Sequence, residues 1–310
     1  MSSALVLIRW LHFTAVIALF GTLLFQYYGG VRSKFGELYR WVPEFSTRLR
    51  TALVATSILV LFSSAGWLAL EAGEMGDGPM DALRPEAIWA VLTGTTFGQV
   101  WQFHLAASLA LVVVIATGAL LRRRLDVCLL LAALLLASQA WVGHAIIDHG
   151  MGRTLHLTNH VVHLAAAGIW LGGLPTVAYL LRQVRSNNDG RVQALTLGVL
   201  RRFSDISFLA VILIILSGLV NSWFLVGKAD SLVDTPYGQV LIAKLVLFCA
   251  MLGNGAFNRF VLMPRLTSEV YRQQSLAKLG LVVTAEQGLG FLVLGIVSIL
   301  GIMAPAINGL

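Results

Sequence analysis

Three histidines stand in nearly the same short sequence: His12-Phe-Thr-Ala, His104-Leu-Ala-Ala and His163-Leu-Ala-Ala. Each falls inside a different apolar stretch long enough to cross a membrane. Imidazole is costly in hydrocarbon and is seldom placed there without a partner or a task. Counted from the helix entrances at 1.5 Å rise per residue, all three lie roughly 9–12 Å deep. A shared depth of this kind suits convergent ligands. The segment His156-Leu-Thr-Asn-His160-Val-Val-His163 carries imidazoles at i, i+4 and i+7, on one helical face. Such a stripe can hold one metal or hand it along; alternatively His156 only caps the helix and the deeper pair matters. His144, Asp148, His149 and Met151 form a denser group at the outer mouth. Imidazole suits Cu(II), Zn and Ni, while thioether favours Cu(I). Met75, Met80 and Met303 place further thioethers outward, so the combination leans towards copper. The alternative is a b-type haem held by His12, His104, His160 and His163, since imidazoles facing across helices are also axial ligands.

These residues need helices to hold them at depth. The chain is 57% apolar and 12% charged, with the charges confined to short islands. That composition predicts an all-α, polytopic membrane bundle. A spanning helix takes about 20 apolar residues. Uncharged runs of that size occur at Trp10–Val31, Thr51–Leu70, Ala87–Leu121, Val127–Ile147, Thr154–Leu181, Ile206–Gly227 and Gln287–Leu310. An eighth, Thr235–Asn258, is interrupted only by Lys244. About eight transmembrane helices result. No loop is large enough for a separate domain, so residues 1–310 read as a single integral membrane domain in contact with lipid.

Orientation follows the distribution of Lys and Arg. The first, third, fifth and seventh loops hold seventeen of them, against three (Arg84, Arg153 and Lys228) in the second, fourth and sixth. The odd loops are therefore cytoplasmic, and both termini are periplasmic. All seven histidines then lie outside or in the outer half of the membrane. The net charge of +7 is this cytoplasmic belt and not a nucleic-acid footprint. The outer loop Glu71–Glu86 is acidic, with Glu74, Asp77 and Asp81 between its ends, and would concentrate cations. The first apolar run lacks a basic leader and a small-residue cleavage site, so it reads as a retained helix. Two cysteines, Cys128 and Cys249, both inside helices, predict no disulfide framework.

Two cations fall within apolar runs. Arg9 is shallow and can snorkel outward. Lys244 is deeper, and a Lys244–Glu286 charge pair would relieve the desolvation of both. Trp67, Trp89, Trp101, Trp141 and Trp223 read as outer interfacial anchors. Gly168 and Gly172 form a small-residue packing face, and Ser63, Ser64 and Gly66 another. Soft groups for an inner exit are limited to Cys128, Cys249 and Met251. No nucleophile–base spacing and no Walker motif occurs, so the chain reads as neither an enzyme nor an ATP-driven pump.

Several segments together resemble the CopD/PcoD copper-resistance membrane proteins. They are Arg9-Trp-Leu-His12-Phe, Asn159-His-Val-Val-His163 continuing through Trp170-Leu-Gly-Gly173-Leu-Pro175, Arg201-Arg-Phe-Ser204, Ser217-Gly218-Leu-Val-Asn221, Tyr237 to Lys244-Leu, and Asn258-Arg259. The resemblance spans nearly the whole chain. It implies an inner-membrane protein of copper homeostasis that binds copper, as Cu(I) or Cu(II), and carries it from periplasm to cytoplasm. A small periplasmic CopC-like copper-binding protein is the partner it implies. A copper-docking subunit that does not transport is the other reading of the same residues.

Overall fold

The computed structural model describes residues 2–31, 43–117, 122–142, 150–185, 189–266 and 272–309. Among these, eight long helices form the bundle: α1 (Ser2–Gln26), α2 (Pro43–Met75), α3 (Thr96–Ala116), α4 (Arg122–Ser138), α5 (Gly150–Arg185), α6 (Gly190–Val226), α7 (Pro236–Phe257) and α8 (Arg272–Leu300). Eight segments are long and apolar enough to cross a membrane, and each contains one of these helices in whole or in large part. In hydrocarbon every backbone N–H and C=O must be bonded within the protein, which leaves helices as the means of crossing.

Six of the helices start ahead of the apolar runs that announce them, while α3 and α7 lie within theirs. α1 begins at Ser2 rather than Trp10, and α2 at Pro43 rather than Thr51. α5 has 36 residues, about 54 Å at 1.5 Å per residue, against a hydrocarbon thickness of about 30 Å. Once formed, a helix adds a hydrogen bond for each residue fixed, so it continues into water past the point where hydrophobicity ends. Threonine caps set two of the starts. The Thr95 hydroxyl accepts from Gly98 N–H at 2.9 Å, and Thr235 from Gly238 N–H at 3.0 Å.

α1 is central and packs on α2, α4, α5 and α8; α5 packs on α6, α1 and α8. α7 lies along α8 and meets α6 only through side chains, as where Met251 packs with Ala210 and Ile214. The α1–α5 crossing is a close backbone approach made by glycines. A Cβ on Gly21 would overlap the Gly172 backbone and the Gly168 carbonyl oxygen. A Cβ on Gly172 would overlap the Ile17 carbonyl oxygen and approach Gly21 Cα. The predicted Gly168/Gly172 face is thus the surface that lets the two central helices meet.

The loop after α2 is more ordered than an acidic mouth requires. It folds into a 3-10 turn, Pro79–Leu83, and a short helix, Pro85–Gly94. Asp81 is buried there: it accepts from Asp77 N–H at 2.7 Å and from Arg84 at 3.1 Å. It is a structural clamp of the loop, which leaves Glu74, Asp77 and Glu86 as the exposed carboxylates.

Candidate metal centre

His12 on α1 and His104 on α3 are both fully buried, with ring centroids 5.0 Å apart. Each is held by a serine from a neighbouring helix. His12 Nδ1 lies 2.9 Å from Ser63 Oγ on α2, and His104 Nδ1 lies 2.8 Å from Ser138 Oγ on α4. The serine protons are already committed. Ser63 Oγ donates to the Leu59 carbonyl at 2.7 Å, and Ser138 Oγ to the Leu135 carbonyl at 2.8 Å. Two oxygens that close need a proton between them, and a hydroxyl has only one. Each Oγ therefore accepts, each imidazole carries its proton on Nδ1, and each Nε2 presents a lone pair. Among the described residues, both Nε2 atoms are buried without a hydrogen-bond partner. A second hydrogen bond that fixes the tautomer while the other nitrogen stays open is the arrangement of metal-ligating histidine.

Tryptophans wall this pair. Trp101 stacks on His104 with centroids 4.6 Å apart and planes 6° from parallel, and Trp67 meets His12 edge-on at 5.5 Å. Trp67 and Trp101 are fully buried. They line the site and are not interfacial anchors, because their indole N–H groups find internal acceptors, Glu71 at 2.9 Å and the Ser64 carbonyl at 2.8 Å. Trp89 and Trp223 are exposed, as anchors would be. Arg9 is also buried and does not snorkel. Its guanidinium lies 4.6 Å from the Trp67 ring and against Gly301, where a side chain would collide with it.

The second half of the chain repeats the imidazole–serine contact. His163 Nδ1 on α5 lies 2.9 Å from Ser217 Oγ on α6, and Ser217 Oγ donates to the Leu213 carbonyl at 2.5 Å. Asn159 donates to the Ser217 carbonyl at 2.9 Å and to Asn221 Oδ1 at 2.8 Å, locking α5 to α6. His160 and His163 have centroids 6.5 Å apart. His156 is buried flat against Phe224 at 4.5 Å. Lys244 on α7 lies within electrostatic reach of the His163 ring.

The structure therefore gathers the imidazoles as His12 with His104 and, apart from them, as His160 with His163. Among the described residues no group of three His, Cys, Asp or Glu side chains is placed to hold one metal. His144, Asp148 and His149 lie outside the described residues, and Met151 is exposed. Met75 and Met80 are exposed too, on the acidic loop. Cys128 is buried in the α1–α4 core, Cys249 is exposed and Met251 is buried near Trp170, so the three soft inner groups are dispersed. Axial imidazoles need a macrocycle between them. The 5.0 Å separation of His12 and His104, inside a tryptophan wall, leaves no room for one.

The Lys244–Glu286 pair is not formed. Glu286 Oε1 accepts from Trp170 Nε1 at 2.7 Å, and Oε2 accepts from Asn258 Nδ2 at 3.1 Å. Asn258 is fourteen residues beyond Lys244 along the chain, about 21 Å of helix. Neutral donors satisfy Glu286 in place of a cation. It borders an apolar cavity of ≈ 280 Å³ with Trp170, Phe203, Ser207, Asn258 and Arg259.

The serines are what a reading of the sequence misses. Ser63 reads as a packing residue, and Ser138 gives no signal, because a hydroxyl in an apolar run shows nothing of what it touches across helices.

Fold and site define a polytopic helical membrane protein with a pair of ligand-ready imidazoles in its interior. The family model described as copper resistance protein D-like, N-terminal domain, matches residues 1–155, and that of copper resistance protein D matches residues 197–300. The chain belongs to the copper resistance protein D family. It is 31% identical to copper resistance protein D of Pseudomonas syringae pv. tomato, over 96% of each chain. It is 30% identical to the inner membrane protein YebZ of Escherichia coli K12, over 96% of this chain and 97% of that one. Copper transport protein CutJ of Bacillus subtilis is 32% identical over 59% of this chain and 34% of its own. No solved structure matches the chain.

Proposed function

We propose that the protein binds copper at His12 and His104 and carries it across the inner membrane from the periplasm towards the cytoplasm. The observation that carries this reading is the pair of serine-oriented, buried imidazoles whose Nε2 atoms have no partner among the described residues. Unpaired buried acceptors cost about 1–3 kcal/mol each, and a bound cation relieves both. Zinc sites take four ligands, and Cu(II) prefers a tetragonal N,O set. Two nitrogens in an aromatic wall suit Cu(I), a closed-shell ion that accepts two donors. Copper is captured at His144, His149 and Met151, handed over by a CopC-like periplasmic partner, and passes by His156, His160 and His163. Both termini are periplasmic in this scheme.

The test is copper per purified chain, followed by uptake into sealed vesicles. Wild-type protein should hold copper near stoichiometrically, and His12→Ala or His104→Ala should lose it. Vesicles that bind copper without accumulating it over time would convert the reading to a docking subunit. Retention of full binding by both variants would remove the site.

A further inference from the structure

The two halves of the bundle share one plan apart from the α2–α3 packing, which α6 and α7 do not reproduce. The start of α3, Thr95-Thr-Phe-Gly98-Gln99-Val100, returns 140 residues later at α7 as Thr235-Pro-Tyr-Gly238-Gln239-Val240. The geometry returns with it. Thr95 Oγ1 donates to the Val91 carbonyl at 2.7 Å, and Thr235 Oγ1 to the Ser231 carbonyl at 2.6 Å. A Cβ on Gly98 would strike the carbonyl oxygens of residues 91 and 92, and one on Gly238 those of residues 231 and 232. α1 and α5 correspond at an offset of 151, which equates His12 with His163, Ile17 with Gly168 and Gly21 with Gly172. Their crossing is self-complementary in those terms, since Gly21 faces the Gly168 carbonyl and Gly172 faces the Ile17 carbonyl. Ser63 and Ser217, the partners of His12 and His163, correspond on α2 and α6. Four helices per unit keep both units in the same orientation, as parallel repeats about an axis along the membrane normal.

In this correspondence His104 falls on Lys244 and Arg9 falls on His160. At these matched positions each unit holds two imidazoles and one cation: His12, His104 and Arg9 in the first, His163, His160 and Lys244 in the second. In the first, the cation is set aside against Trp67 and the second imidazole faces His12. In the second unit the sequence correspondence puts a cation, Lys244, at the position of the facing imidazole.

We propose that Lys244 is the affinity-setting residue of a second, duplicated metal site at His163, where its ammonium takes the place of a ligand and keeps copper from resting. The inference rests on His12–His104 as the resident site. An ammonium offers donors and no lone pair, and in a low-dielectric interior it repels a second cation strongly. His163 is then a place of passage, consistent with the need for weak binding wherever an ion must leave again. The chain holds one tightly bound copper and not two.

The test counts tightly bound Cu(I) per detergent-purified full-length chain, loaded anaerobically with Cu(I) alone against a chromophoric chelator. Lys244→His should add one equivalent to the wild-type number, and Lys244→Leu should add none. Combined with His12→Ala, Lys244→His should leave one equivalent, located at His163 by its loss in a further His163→Ala. In the reverse direction, His104→Lys should remove the wild-type equivalent while the protein stays monodisperse. A folded Lys244→His protein with unchanged stoichiometry overturns the proposal, as does a His104→Lys protein that keeps its copper. Wild-type protein without tight copper would defeat the resident-site reading alone. The gain from Lys244→His would still decide this one.

Discussion

At the scale of single residues, the decisive contacts are hydroxyl to imidazole. Ser63 and Ser138 spend their protons on helix carbonyls and so fix His12 and His104 with Nε2 open. Ser63→Ala or Ser138→Ala should weaken Cu(I) binding by about 10–100-fold, the usual cost of losing a group that orients a ligand. A chelator competition titration reads this, and full loss is reserved for the histidines themselves. If the serine variants titrate like wild type, tautomer control is not their role. Glu286 poses the opposite case. Glu286→Ala strands Trp170 Nε1 and Asn258 Nδ2, so it should lower stability by about 1–3 kcal/mol per stranded donor. The same variant should keep wild-type copper stoichiometry, with the loss seen in the thermal unfolding midpoint. Neither serine is recognisable in sequence as a partner of histidine. The histidines are, because imidazole in a run of Leu and Ala is conspicuous by its cost.

At the scale of elements, the α1–α5 crossing sets the depth and facing of everything else. Gly172→Ala forces a methyl into the Ile17 carbonyl, where the obstacle is backbone and cannot swing away. A loss of about 1–3 kcal/mol is expected, as for overpacking in a tight core. Gly253, within α7, has open space around its Cβ position. Gly253→Ala should therefore raise the unfolding midpoint slightly, since alanine is better in a helix interior by roughly 0.5–1 kcal/mol. Shifts of the same sign in the two variants would contradict this account of the crossing. The eight apolar runs are legible from composition, but their ends are not, because helices continue into water without needing hydrophobic residues. Trp67 and Trp101 turn inward and do not anchor at the interface for a related reason. An indole near an interface in sequence is as ready to turn inward wherever its N–H finds a carbonyl or carboxylate.

At the scale of the whole molecule, the basic residues decide orientation. Met151, at the start of α5, is 77% exposed and on the proposed periplasmic side, while Arg185 is exposed at the other end of the same helix. In a background with Cys128 and Cys249 replaced by serine, Met151→Cys should react with a membrane-impermeant maleimide in intact cells. Arg185→Cys should react only after permeabilisation. The reverse pattern would invert the bundle and put the acidic loop, Met75 and Met80 in the cytoplasm, which the capture step could not survive.

The sequence by itself determined that this chain is a bundle of eight membrane-crossing helices, which residues in it are too polar to be idle, and which loops carry positive charge. Those are consequences of transfer free energy, a property each residue owns independently of its neighbours. Which imidazoles meet was decided only by tertiary structure. Three histidines with one local signature became one close pair and one member set apart, because helix packing about Gly21 and Gly172 fixes who faces whom. The predicted Lys244–Glu286 pair failed on the same ground: both residues pay for burial, but about 21 Å of helix separates Lys244 from the Asn258 that holds Glu286. Polarity in an apolar run says that a partner is needed, and only the fold says which one is within reach.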